Sequence, residues 1–71
     1  MDAQEILSAI EEHGLLLRPS VTGNWRCGVF RGITGDGKAY CAVGSECEKA
    51  TIEGVVAEAV RWASTHSVRA A

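Results

Sequence analysis

Asn24-Trp25-Arg26-Cys27-Gly28-Val29-Phe30-Arg31-Gly32-Ile33-Thr34, then Gly35-Asp36-Gly37, then Lys38-Ala39-Tyr40-Cys41-Ala42-Val43-Gly44-Ser45 is the segment around which the chain is organised. Two runs rich in β-branched, aromatic and cysteine residues flank a Gly-Asp-Gly turn, which is the pattern of a β-hairpin. Side chains alternate between the faces of a strand, so Trp25, Cys27, Val29 and Ile33 form the more apolar face of the first run. Ala39, Cys41 and Val43 do the same in the second. The two sets share one face only if facing residues have the same parity. A three-residue loop, Gly35 to Gly37, achieves this: it sets Thr34 opposite Lys38, Ile33 opposite Ala39 and Val29 opposite Val43. Gly37 can take the left-handed third position of that loop without steric cost. A two-residue Asp-Gly turn would leave Cys41 facing outward, so the longer loop is the expected one. Arg31 then falls on the inner face and is expected near a sheet edge, its stem packed and its head in water.

Working outward, the segment before the hairpin reads as helix followed by strand. Asp2 and Glu5 have the spacing of a capping box, Ile6, Leu7 and Ile10 recur with helical period, and Gly14 can close the helix, predicting helix over 3–13. Leu15-Leu16-Leu17-Arg18 is too apolar for a loop and ends at Pro19, predicting a short strand and then a turn to Asn24. Beyond the hairpin, 45–50 reads as a polar connection. Thr51 caps a second helix to about His66, with Ile52, Val55, Val56, Ala59, Val60 and Ala63 as its buried stripe and Trp62 on the flank. Gly54 within it marks a close contact, and Ser67 to Ala71 are expected to fray. The expected fold is therefore α+β, in the order α-β-β-β-α, with a three-stranded antiparallel sheet carrying both helices on one face. Residues 1–71 form a single domain.

Composition narrows the function classes. A 71-residue chain supports one thin core, so a partner or a dimer contact matters to it. With 7 basic and 9 acidic side chains the net charge is -2, far from the basic footprint of a phosphate-backbone binder. No apolar run approaches membrane-spanning length and the start is acidic without an apolar signal core, so a cytosolic protein is expected. Three cysteines, an odd number, fit a reducing compartment.

The α-β-β-β-α order resembles the double-stranded-RNA-binding domain over the whole chain length. That family carries a basic cluster at the start of its last helix, where this chain has Glu46-Cys47-Glu48-Lys49-Ala50-Thr51-Ile52-Glu53. Carboxylates there would repel phosphates, so the resemblance implies the fold and not the activity. The chain also resembles short accessory proteins encoded by bacteriophages and prophages. The resemblance rests on the acidic first helix, the Gly-Leu-x-Leu-Arg-Pro step at Gly14 to Pro19, the Gly-x-Trp-Arg strand at Gly23 to Arg26, and the closing Thr-initiated helix rich in Ala, Val and Glu. It implies a protein of the bacterial host cytosol that binds a host protein, such as a defence component, and blocks a surface; other members of this kind are regulators or particle subunits. The first half is also similar to helix-hairpin docking domains of modular synthetases, whose paired closing helices Thr51 to Ala63 does not supply.

Catalytic and cofactor motifs are weak by comparison. Gly32 to Lys38 has phosphate-loop spacing, but Ala39 replaces the required hydroxyl and the segment joins two strands instead of a strand and a helix. Cys27, Cys41, Cys47 and His66 lack the close pair spacing of a structural zinc site. Cys27 and Cys41 read as small inner-face hydrophobes, and Cys47 as an exposed thiol disfavoured as a thiolate by Glu46 and Glu48. His13 and His66 end helices, where a cation meets the negative end of the dipole. Neither a nucleophile-base set nor a pair of acid-base carboxylates stands out, and no cofactor, metal or small-molecule substrate is expected; the chain reads as a non-enzyme. What remains is the outer sheet face. Arg26, Phe30, Lys38 and Tyr40 are expected to point away from the helices, with the two aromatics diagonally adjacent among Gly28, Gly32, Ala42 and Gly44. Aromatics beside arginine on an open face suit a contact with a protein partner or a second copy.

Overall fold

The computed structural model of the chain describes residues 2–66, so the expected fraying of Ser67 to Ala71 lies outside the described residues. Helix α1 (Ala3–His13) leads into β1 (Leu15–Pro19), β2 (Trp25–Ile33), β3 (Ala39–Cys41), β4 (Cys47–Lys49) and helix α2 (Ile52–His66). The fold is mixed α+β with an antiparallel sheet. Strand β2 is its spine. β1 lies along one edge, from Leu15 opposite Val29 to Pro19 opposite Trp25. On the other edge β3 and β4 sit end to end, β3 beside Phe30–Ile33 and β4 beside Trp25–Cys27.

The local signals at the helix ends act as expected. Asp2 and Glu5 exchange side-chain-to-backbone hydrogen bonds of 2.9 Å each, completing the capping box. Gly14 takes φ 64 and returns its N–H to the Ile10 carbonyl. The Thr51 hydroxyl accepts the Gly54 N–H at 3.0 Å. A Cβ on Gly54 would stand 2.9 Å from that hydroxyl oxygen, which explains a glycine inside a helix.

Where the sequence predicts three strands, the described residues form four, because the third is broken. Ala42 donates its N–H to Val29 at 2.8 Å, and the chain then turns out through Gly44 at φ 82. Ser45 comes back to accept the Val29 N–H on its hydroxyl at 3.1 Å, filling a rung that a strand would have supplied. The stretch read as a polar connection then rejoins β2 as β4. Ser45 is buried for this reason.

The hairpin loop is as predicted: Thr34 donates to Lys38 at 2.8 Å, Ile33 faces Ala39, and Gly37 has φ 86. The register behind it is not. Gly32 pairs with Tyr40 but Phe30 pairs with Cys41, so Arg31 is an extra, bulged residue. A one-residue bulge reverses which face the side chains of β3 and its continuation take, and this corrects two expectations. Cys41 lies on the outer face, where a Cβ on Gly28 would meet its Sγ at 3.0 Å. Val43, expected opposite Val29, is 98% exposed, and Ala42 takes the inner place. Cys47, expected exposed between Glu46 and Glu48, is corrected for a separate reason: its stretch is a strand, and pairing with β2 sets it against Cys27 on the inner side.

Both helices lie on that inner face, as expected. Leu15, Cys27 and Val29 from the sheet meet Val55, Val56, Ala59 and Ala63 from α2. Ile6, Ala9 and Ile10 of α1 pack against this cluster without being buried themselves. Trp25 is half-buried, so truncating it should cost less than the removal of a fully buried indole.

Candidate functional site

The outer face divides at Gly28. Toward the first half of β2, Arg18 lies opposite Arg26, a pairing of like charges that is destabilising when left uncompensated. Glu46 compensates it. One carboxylate oxygen accepts from Arg18 at 2.9 Å and lies 3.1 Å from Arg26. Its stem runs over Gly28, where a Cβ would meet the Glu46 Cγ at 2.9 Å, so the glycine is the floor on which this ion cluster rests. Beside it Glu48, opposite Arg26, accepts from the Thr22 hydroxyl and the Asn24 amide. The Thr22 hydrogen bond, with help from Asn24, Ser20 and the Arg26 charge, holds the Glu48 carboxyl below its ordinary range. This half of the face is polar and internally matched.

Toward the second half the character changes. Residues 30–41 form a two-stranded arm, because β1 ends at the level of Val29, with Gly14 accepting the Phe30 N–H as its last rung. Phe30 stands on the outer face, 40% exposed, beside Cys41. Tyr40 alternates with Cys41 and so turns to the opposite side, its ring over Gly32 at 3.1 to 3.4 Å from where a Cβ would be. It is 48% exposed, and Ile33 and Val43 are more so. Four of the six large apolar side chains exposed among the described residues, Phe30, Ile33, Tyr40 and Val43, thus belong to this arm and the turn after it.

The four expected contact residues are therefore not one patch. Arg26 is held in the ion cluster with Glu46, Phe30 begins the arm, and Lys38 sits at the loop, where its N–H donates to the Thr34 hydroxyl at 3.1 Å. Tyr40 opens onto a groove of about 480 Å³ on the helix side, lined also by Arg31, Ala42, Val43, Trp62 and His66. Trp62 and His66 are stacked there, with centroids 4.0 Å apart and planes 9° from parallel, and the His66 Nδ1 is 2.9 Å from the Trp62 carbonyl. The i, i+4 spacing of Trp62 and His66 was the one sequence signal for this platform.

The thiols are poorly placed for nucleophilic work. Burial raises all three above the ordinary value; Cys27 is pushed up to about 12, with Cys47 and Cys41 adding to the effect. At Cys41 Glu46 is the next cause, and at Cys47 it is Glu58. Cys47 points its Sγ toward the Cys27 and Val55 carbonyls, at 3.5 and 3.6 Å. Among the described residues no three His, Cys, Asp or Glu side chains converge as a metal site. No helix among them is long and apolar enough to cross a membrane.

No family model, no curated protein and no solved structure matches the chain.

Proposed function

We propose that this protein is a non-enzymatic accessory factor that acts by protein–protein contact, of the kind that phages and prophages use against a host protein. The observation that supports the reading is the arm. A two-stranded hairpin is marginal in water by itself, yet this one carries Phe30, Ile33 and Tyr40 into solvent on both of its faces, with Val43 exposed in the turn after it. Aromatic anchors of this sort supply most of the energy where they become buried in an interface. The residues behind the phage resemblance have structural duties: Gly14 closes α1, Leu15 to Pro19 make β1, Gly23 turns at φ 91, and Trp25 opens β2. Those motifs thus serve the scaffold of this chain, and the choice of partner falls to the arm.

Capture from a bacterial lysate, followed by titration of the partner identified, tests the proposal. Phe30→Ala with Tyr40→Ala should weaken binding by about 1 to 3 kcal/mol for each anchor that the interface buries, with the helices still folded. Equal capture by the double variant would remove the arm from consideration. A second reading, stacking of single-stranded nucleic acid on Tyr40 and the Trp62–His66 pair, is favoured by the flat aromatic lining of the groove and opposed by the net charge of -2. Binding that falls steeply with added salt would support it.

A further inference from the structure

The three thiols are free, and the sheet sorts them by face. Cys27 and Cys47 are direct partners across β2 and β4, and both lie on the inner side with the core. Cys41 lies on the outer face, where a Cβ on Gly28 would stand 3.0 Å from its Sγ. Cysteines on opposite faces are kept apart by the sheet itself, so of the three possible pairings only Cys27 with Cys47 leaves the fold intact. The Val29 N–H goes to Ser45 and its carbonyl accepts from Ala42, so the odd-numbered backbone groups of β2 face the β3–β4 edge. Cys27 and Cys47 are therefore a hydrogen-bonded pair, whose Cα atoms stand about 5.5 Å apart, inside the range that a disulfide spans. Directly opposed Cβ atoms stand roughly 4.5 to 5.5 Å apart and a disulfide holds them at about 3.8 Å, so closure needs a shift of roughly 1 Å. The Cys47 Sγ already leans over the Cys27 backbone, 3.5 Å from its carbonyl oxygen. β4 can supply the shift, because it is three residues long and, among the described residues, pairs with β2 alone.

We propose that Cys27 and Cys47 are a disulfide site, oxidised by a small-molecule disulfide such as oxidised glutathione, with Cys41 left as the free thiol. The exchange balances in two steps. The Cys47 thiolate, on the less buried of the two side chains, attacks one glutathione sulfur; the glutathione S–S bond breaks, a glutathione thiolate leaves and a mixed disulfide forms. The Cys27 thiolate then attacks the Cys47 sulfur and expels the second glutathione. Two electrons pass from the cysteines to the glutathione disulfide, and the two thiol protons end on the two glutathione thiols. Burial raises both cysteines above the ordinary value, Cys27 to about 12, so the folded chain resists the exchange and it proceeds when β4 lifts from β2. The bond closes a loop that contains the arm and the excursion at 42–46, and so ties both ends of that segment together beside α2. An odd cysteine count thus resolves into one matched pair and one remainder. Neither Phe30 nor Tyr40 takes part, so the site stands or falls independently of the proposed function.

The full chain, reduced in urea and refolded in mixtures of reduced and oxidised glutathione, tests it. Remaining thiols are alkylated, and the chain is cut with trypsin and a glutamate-specific protease, which separates Cys41 from Cys47 at Glu46, before mass mapping without reductant. One intramolecular bridge, Cys27 to Cys47, should form with Cys41 alkylated, in at least about tenfold excess over either pairing through Cys41, which would have to cross the sheet. Helical circular dichroism should match that of the reduced chain. Cys41→Ser should leave the bridge unchanged, and Cys47→Ser should abolish intramolecular bridging. A bridge that uses Cys41 overturns the proposal, and so do three thiols that stay free or carry only glutathione at every ratio. A Cys27–Cys47 bridge that melts the helices, or a Cys47→Ser chain that bridges as fully as the wild type, overturns it equally. Should Cys47→Ser fail to fold, the maps of the wild type and Cys41→Ser decide.

Discussion

The two halves of β2 make an instructive pair. From Trp25 to Val29 the strand has neighbours on both edges and helices over one face; from Phe30 to Ile33 it has β3 alone. The composition hardly changes between them, each half holding β-branched, aromatic and arginine residues. What changes is how much of the chain reaches that far. β1 starts at Leu15, opposite Val29, because Gly14 must close α1 immediately before it, and the third strand is interrupted at the same level by the turn through Gly44. The first half consumes its apolar side chains in the domain's own core. The second half presents them, which is why the functional proposal falls on the arm.

The largest test of this contrast is a charge placed at its centre. Val56 is fully buried beneath the first half, and Val56→Asp should unfold the domain, since an unpaired buried carboxylate costs several kcal/mol, about what a domain this small has in total. Loss of the cooperative thermal transition is the readout, and a folded Val56→Asp protein would mean that the core lies elsewhere. A matched pair of truncations on β2 comes next. Val29→Ala should cost about 2 to 3 kcal/mol in urea denaturation, whereas Ile33→Ala, 60% exposed, should stay within about 0.5 kcal/mol. Equal losses would erase the distinction between body and arm.

The smallest effect concerns acid. The folded Glu48 carboxyl titrates below its ordinary value of 4.5, so it contributes stability that is present above pH 4.5 and is lost as pH falls through the lowered folded value. Glu48→Gln should remove that acid-side slope and loosen the turn at 20–24, which Glu48 holds through Thr22 and Asn24. An unchanged pH profile in the variant would show the network to be energetically silent.

Everything carried by local chemistry can be read from the residues alone. The helix boundaries follow from Asp2, Gly14 and Thr51, whose side chains or left-handed backbone act on groups within four residues. β1 was legible in Leu15 to Arg18 and the three-residue hairpin loop in Gly35 to Gly37, for the same reason. The stripe Val55, Val56, Ala59, Ala63 was legible because helical period alone places it on one side. The register beyond the loop, by contrast, is set by contacts made in the folded chain. A bulge at Arg31 and an excursion at 42–46 have no distinctive residue signature, and each is selected by distant groups: Ser45 completing the Val29 rung, and Glu46 bridging Arg18 and Arg26 over Gly28. Because strand side chains alternate with a period of two, that single extra residue exchanged the faces of Cys41 and Tyr40. It thereby divided the expected quartet of Arg26, Phe30, Lys38 and Tyr40 between an ion cluster, a loop and two sides of an arm.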